Sequence, residues 1–167
     1  ESALVANNIL LAVAAFVVFI GTIWPLAAEI VMGRTVSVGE PFFNAAFTPF
    51  FVALALILPA GAMLAWKRGD LPRALRRLGP ALVLAGAMAA LAFAIQTGRA
   101  ALGPVGVFLG AWVILGAATD LWARTGRGGG RLGRLSRLPR ADWGKATAHA
   151  GLGLVLVSVA ALHAWKI

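Results

Sequence analysis

Two side chains in this 167-residue sequence carry an imidazole, His149 and His163, the one group whose unperturbed charge changes near neutral pH and a common ligand for metals and haem iron. His149 sits in the stretch "WGKATAHAGLGLVLV", Trp143 to Val157, just over a helical turn inside a hydrophobic run that reaches Trp165. An ionisable residue at that depth is costly unless something binds it, and within a membrane span it marks a functional site by default. The chemistry leaves three uses for it: ligation of a metal or haem iron, a proton relay, or a hydrogen bond to a neighbouring helix. His163 lies beside Trp165 and Lys166 near the end of the same run, where a wet interfacial histidine is expected. The sequence contains no cysteine, which excludes disulfides, thiolate-ligated zinc, iron–sulfur clusters and thiol catalysis. No serine has an identifiable histidine and carboxylate partner, so no triad is expected.

The neighbours of His149 extend the ligand reading. Ala146 and Gly153, three residues before and four after, share its helical face; small residues there leave room for a flat macrocycle or for close helix packing. Lys145, one turn away, could meet a propionate of such a group. Asp120 precedes Arg124 by four residues and predicts a local helical ion pair; Glu29 also sits at a run end. Asn7, Asn8 and Gln96 read as caps or helix cross-links. The stretch "GRGGGR", Gly126 to Arg131, lacks the Gly-Lys-Ser/Thr ending and preceding strand of a phosphate loop.

The elements that must position these residues are membrane helices. Apolar residues make up 60% of the chain and its mean hydropathy is +0.88, well above soluble domains. A span needs roughly 20 mostly apolar residues, and five runs qualify: Leu4–Ala28, Pro41–Trp66, Leu78–Gly98, Ala100–Thr119 and Ala146–Trp165. They are continuous rather than alternating, which favours helices over strands. The fold class expected is therefore an all-α, polytopic transmembrane bundle of about five spans, with residues 1–167 as one transmembrane fragment. Pro80 and Pro104 are expected in first helical turns, while Pro25, Pro49 and Pro59 are expected to bend their helices. Trp24, Trp66, Trp122, Trp143 and Trp165 fall near run ends, as interfacial belts require. The opening "ESALVANNIL" has no basic segment or cleavage site of a signal peptide, and the chain reads as a piece of a longer protein.

Charge orients the bundle. The second connection carries Lys67, Arg68, Arg73, Arg76 and Arg77; the fourth carries Arg124, Arg127, Arg131, Arg134, Arg137, Arg140 and Lys145. Only Arg34, Arg99 and Lys166 fall on the other side. The positive-inside rule predicts both basic loops in the cytoplasm, the amino end inside and the carboxyl end in the periplasm. A net charge of +9 invites a nucleic-acid reading, but the arginine loop is aromatic-poor and offers no stacking surface. No nucleic-acid partner is expected, and the loop reads as an anchor touching anionic membrane lipid.

Four segments in order resemble the CcmF family, the membrane haem lyase subunit of cytochrome c-type biogenesis: "ESALVANNILL", "GTIWPLAAEIVMGRTVSVGEPFFNAAFTP", "WKRGDLPRALRRL" and "RLSRLPRADWGKATAHAGLGL". Glu40 stands where the family tends to have proline. The resemblance covers essentially the whole chain and a later portion of a full member. It implies a bacterial inner-membrane protein that takes haem from a periplasmic haem chaperone and helps attach it to apocytochrome c. It also implies a permanent b-type haem within the membrane, which serves to reduce the incoming haem. One axial histidine of that haem lies in the helix matching "KATAHAGLGL", at the position of His149. The family's second axial histidine and its tryptophan-rich segment lie outside this portion, so the rest of the parent protein is expected to supply the second ligand. The competing readings are a structural transmembrane scaffold and a transporter fragment, each with His149 unliganded.

Overall fold

A computed structural model describes residues 2–35, 37–64, 70–97, 102–126 and 128–164, with the backbone alone at residues 2, 3, 40, 43, 44, 47, 163 and 164. The expectations for Trp66, Arg127 and Trp165 fall outside these residues. All regular structure among them is helical: α1 (Ser2–Met32), α2 (Glu40–Met63), α3 (Leu71–Ile95), α4 (Leu102–Arg124), α5 (Arg131–Leu135) and α6 (Arg140–Ala164). Four of these, α1, α3, α4 and α6, are long and apolar enough to cross a membrane, and α2 contributes the shorter apolar stretch Thr48–Met63. Five apolar runs are expected as spans; four coincide with helices long and apolar enough to cross, and the fifth is helical over Glu40–Met63, with its apolar stretch described from Thr48 to Met63.

The helix starts differ from the apolar runs for a local reason. α3 begins at Leu71, not at Leu78, because Asp70 caps it: its carboxylate accepts the Arg73 backbone N–H at 3.0 Å, and Pro72 occupies the first turn, where it removes only a donor that has no intrahelical partner. Pro80 is consequently interior to α3, against the expectation of a first-turn proline, whereas Pro104 does fall in the first turn of α4. α6 likewise begins at Arg140, six residues before the apolar run, with Asp142 in its first turn, where a carboxylate suits the positive helix end. α1 and α2 continue as helices through Pro25 and Pro59.

The chain forms two compact units, residues 1–57 and 58–167. In the first, α1 and the front of α2 line an apolar groove that includes Leu10, Ala14, Phe50 and Leu54. In the second, α4 is the central helix. It packs along α6 on one side and α3 on another, and buries Val107, Leu109, Trp112, Val113, Ala117 and Leu121. Ala92, Val107 and Ala160 meet at one level of the bundle. Ala117, Leu121 and Ala146 meet at another, covered by Leu135 and Leu138 of the α5 region. Outward-facing Leu82, Val83, Leu91 and Phe93 on α3 and Leu154, Val155 and Leu162 on α6 are exposed, as lipid-facing surfaces are.

The α4–α6 contact is a small-residue seam. A Cβ on Gly110 would lie 2.5 Å from Val157 Cγ2 and 2.6 Å from the Gly153 carbonyl oxygen; one on Gly106 would lie 2.6 Å from Ala160 Cβ. Gly106 and Gly110 are four apart, so they stack on one face, and the absence of side chains lets the two backbones approach. The same principle joins α4 to the end of α2, where a Cβ on Gly116 would lie 2.5 Å from Pro59 Cβ.

Candidate functional site

The antiparallel seam fixes the height of every residue on α6. Gly106 meets Ala160, Gly110 meets Gly153 and Val157, and Ala117 and Leu121 meet Ala146. His149 is one turn from Ala146 and one turn from Gly153, and therefore sits at the level of Ile114 to Ala117 on α4. It is half-buried, and its imidazole makes no hydrogen bond or ion pair among the described residues. His163 belongs to the last turn of α6; its side chain lies outside the described residues.

The room expected beside His149 is partly taken. A Cβ on Gly153 would lie 2.6 Å from Ile114 Cγ1 and 2.7 Å from the Gly110 carbonyl oxygen, and Ala146 is buried in its own cluster. These small residues serve the α4–α6 seam, the second of the two uses that the sequence allows them.

One turn below His149, roughly 6 Å along the axis, lies a four-membered charge network. Lys145 Nζ donates to Asp120 Oδ2 at 2.5 Å and to the Ala62 carbonyl oxygen at 3.2 Å. Arg124 Nε donates to Asp120 Oδ2 at 3.2 Å, and Arg124 Nη1 to Asp142 Oδ1 at 2.9 Å. Asp120 is only 5% exposed. A lone carboxylate so enclosed would be strongly destabilising; two cations and short charge-assisted bonds make it tolerable. The two aspartates balance the arginine and the lysine, so the network is neutral as a whole. It ties α4, α6 and the end of α2 together at one end of the bundle.

The expected Asp120–Arg124 pair is present within this network. Lys145, the candidate propionate contact, is engaged here first: two of its three N–H donors are used, leaving one. The sequence reading missed the cross-helix pairing. Its signal is the mirrored spacing of Asp120 with Arg124 on one helix and Asp142 with Lys145 on the next. An antiparallel hairpin then sets each cation opposite the other helix's carboxylate.

The imidazole of His149 is a single donor. Among the described residues no three His, Cys, Asp or Glu side chains converge on a metal position. A single unbonded imidazole supplies too few ligands for a tetrahedral zinc or an oxygen-caged cation. It suffices for an axial position on a macrocycle that brings its own four nitrogens. The residues present therefore fit a haem by donor chemistry.

At the same end of the bundle, the α4 terminus is closed by α5. Arg131 Nη2 donates to the Trp122 carbonyl oxygen at 2.8 Å and Nε to Thr125 Oγ1 at 3.1 Å, and the guanidinium lies 4.2 Å from the centre of the Trp122 ring. Gly126, Gly128 and Gly130 adopt positive φ of 74°, 100° and 73°. The glycines of "GRGGGR" thus turn the chain from α4 back to α5, a conformation that other residues adopt at a cost.

No protein-family model matches the chain, and no solved structure matches it. Curated relatives do. The chain is 55% identical over 167 residues, all of its length, to cytochrome c-type biogenesis protein Ccl1 of Rhodobacter capsulatus, of which it covers 25%. It is 46% identical over 170 residues, 99% of its length, to cytochrome c-type biogenesis protein CycK of Bradyrhizobium diazoefficiens, of which it covers 26%. It is 32% identical over 162 residues, 96% of its length, to cytochrome c-type biogenesis protein CcmF of Escherichia coli, of which it covers 24%. The chain spans about a quarter of the length of these relatives. From end to end, then, this helical segment matches the CcmF family of cytochrome c-type biogenesis proteins, over a later portion of their length.

Proposed function

We propose that the chain is the part of a cytochrome c-type biogenesis protein that holds a b-type haem in the bacterial inner membrane, with His149 as one axial ligand. The observation that carries this reading is the imidazole itself: half-buried at membrane depth, without a hydrogen-bonding partner among the described residues, on a helix whose height is locked. When bound, haem b supplies one-electron redox chemistry. The chain's own residues position it. The glycine seam and the Asp120–Lys145–Arg124–Asp142 network hold α6 against α4 and so hold His149 in place. Lys145 keeps one N–H for a propionate.

The second axial ligand is not His163. Fourteen residues separate the two histidines on one helix, roughly 21 Å along the axis, too far to reach one iron from opposite faces. The remaining part of the parent protein supplies it in this reading. The partners of the whole protein are then a haem chaperone and apocytochrome c, as expected from the family, and the basic connections face the cytoplasm.

The test is haem content of the purified full-length protein. His163→Ala should leave it nearly unchanged, and His149→Ala should remove most of it while the protein still inserts. A second reading, a purely structural bundle, is favoured by the packing of Gly153 against α4. It predicts a stable, colourless full-length protein.

A further inference from the structure

A second cleft, of about 500 Å³, opens at the basic end of the second unit, lined by Arg77 of α3, Thr119, Trp122 and Ala123 of α4, Gly126 and Arg131. Its chemistry is one-sided. Two guanidinium groups line it and no carboxylate does; the nearest acid along α4, Asp120, is turned into the network with Lys145 and Arg124. Arg77 is exposed and has no ion pair or hydrogen bond among the described residues. Arg131 uses two of its five N–H donors on the α4 terminus and is held flat by the Trp122 ring, so its remaining donors are fixed in place. A planar arginine with free N–H groups beside a second arginine is suited to phosphate oxygens.

The cleft is also amphipathic. Trp122 is 43% exposed, as expected of an indole at the membrane–water boundary. Along α3, Leu84, Met88 and Leu91 follow Arg77 at spacings of seven, eleven and fourteen residues, on one helical face, and all three are exposed. A cationic cleft at the boundary that continues into an apolar stripe matches a molecule with a phosphate at one end and a hydrocarbon chain at the other.

We propose that this cleft is a binding site for an anionic phospholipid, with the headgroup phosphate between Arg77 and Arg131 and an acyl chain along the Leu84–Met88–Leu91 face of α3. The site is independent of His149 and of the haem reading. It places a specific lipid against the seam of α3 and α4, next to the turn that closes α4.

The experiment places the full-length protein in bilayer discs containing phosphatidylglycerol and phosphatidylcholine, extracts it in mild detergent and counts retained lipids by native mass spectrometry. Phosphatidylglycerol should be retained in preference to phosphatidylcholine. Arg77→Gln should lower that retention about five-fold, the effect of one basic residue at an anionic surface. Arg77→Gln with Arg131→Gln should abolish the preference. Arg73→Gln, which removes a guanidinium paired with Asp70 outside the cleft, should leave it unchanged. Arg77 bears on no capping contact, so its variant reads the site even where Arg131→Gln disturbs the α4 terminus. Equal retention of the two lipids, or unchanged retention in Arg77→Gln, would overturn the proposal. Release of the lipid by excess inorganic phosphate would overturn the lipid assignment and leave a phosphate site.

Discussion

Asp120 and His149 are a turn apart in height, and they show opposite ways of keeping an ionisable group inside a membrane protein. Asp120 is neutralised by neighbours: Lys145 and Arg124 share one of its oxygens. Replacing it by alanine leaves Lys145 beside an apolar cluster with only the Ala62 carbonyl as partner. We expect Asp120→Ala to destabilise the full-length protein by about 2–4 kcal/mol, read as a lower thermal midpoint in detergent, because removing one partner of an enclosed pair strands the other. Lys145→Met added to it should recover part of the loss; a double variant as unstable as the simple sum would show that the two groups act separately. The Asp120–Arg124 bond was legible in the sequence because four-residue spacing on a helix is local. The Asp120–Lys145 bond joins residues 25 apart and depends on helix register, which composition does not reveal. His149, in contrast, makes no hydrogen bond or ion pair among the described residues, and its position in an apolar run was enough to single it out.

Helix identity follows from apolar run length, but the starts of α3 and α6 follow from local chemistry, an Asp70 cap on α3 and Asp142 in the first turn of α6. Asp70–Leu71–Pro72 starts α3 seven residues before the apolar run, and Arg140 starts α6 six residues before its own. In both cases turns bearing basic side chains are helical although they are polar, since long basic side chains can leave a helix end for the interface. The packing partners were not legible at all. Ala146 and Gly153 read equally well as room for a ligand or as a seam, and only the pairing of Gly153 with Gly110 and Ile114, and of Ala146 with Ala117 and Leu121, favours the seam. That pairing makes a graded prediction. Gly110→Ala places a Cβ against the Gly153 carbonyl oxygen and should lower stability by about 1–3 kcal/mol, the range for overpacking. Gly144→Ala and Gly151→Ala, where nothing lies within 4 Å of the added carbon, should be near neutral. Equal thermal midpoints for Gly110→Ala and Gly151→Ala would contradict the seam.

The whole molecule is a multi-pass helical membrane segment, and its orientation carries functional weight because it decides which face of the membrane lies nearest His149. The proposed orientation, with the basic connections inside, places Gly129 in the cytoplasm and Gly39 in the periplasm. The sequence has no cysteine, so single cysteines introduced at these two exposed positions report accessibility to an impermeant maleimide in intact cells. Labelling at Gly39 alone is the expected result, and labelling at Gly129 would reverse the bundle. The proposed role of His149 as an iron ligand is tested most directly by substitution with external rescue. The full-length protein carrying His149→Gly, purified and measured by visible absorption, should lose the six-coordinate b-type spectrum. Added imidazole should restore it by entering the space left by the side chain. An unchanged spectrum in His149→Gly would contradict the assignment.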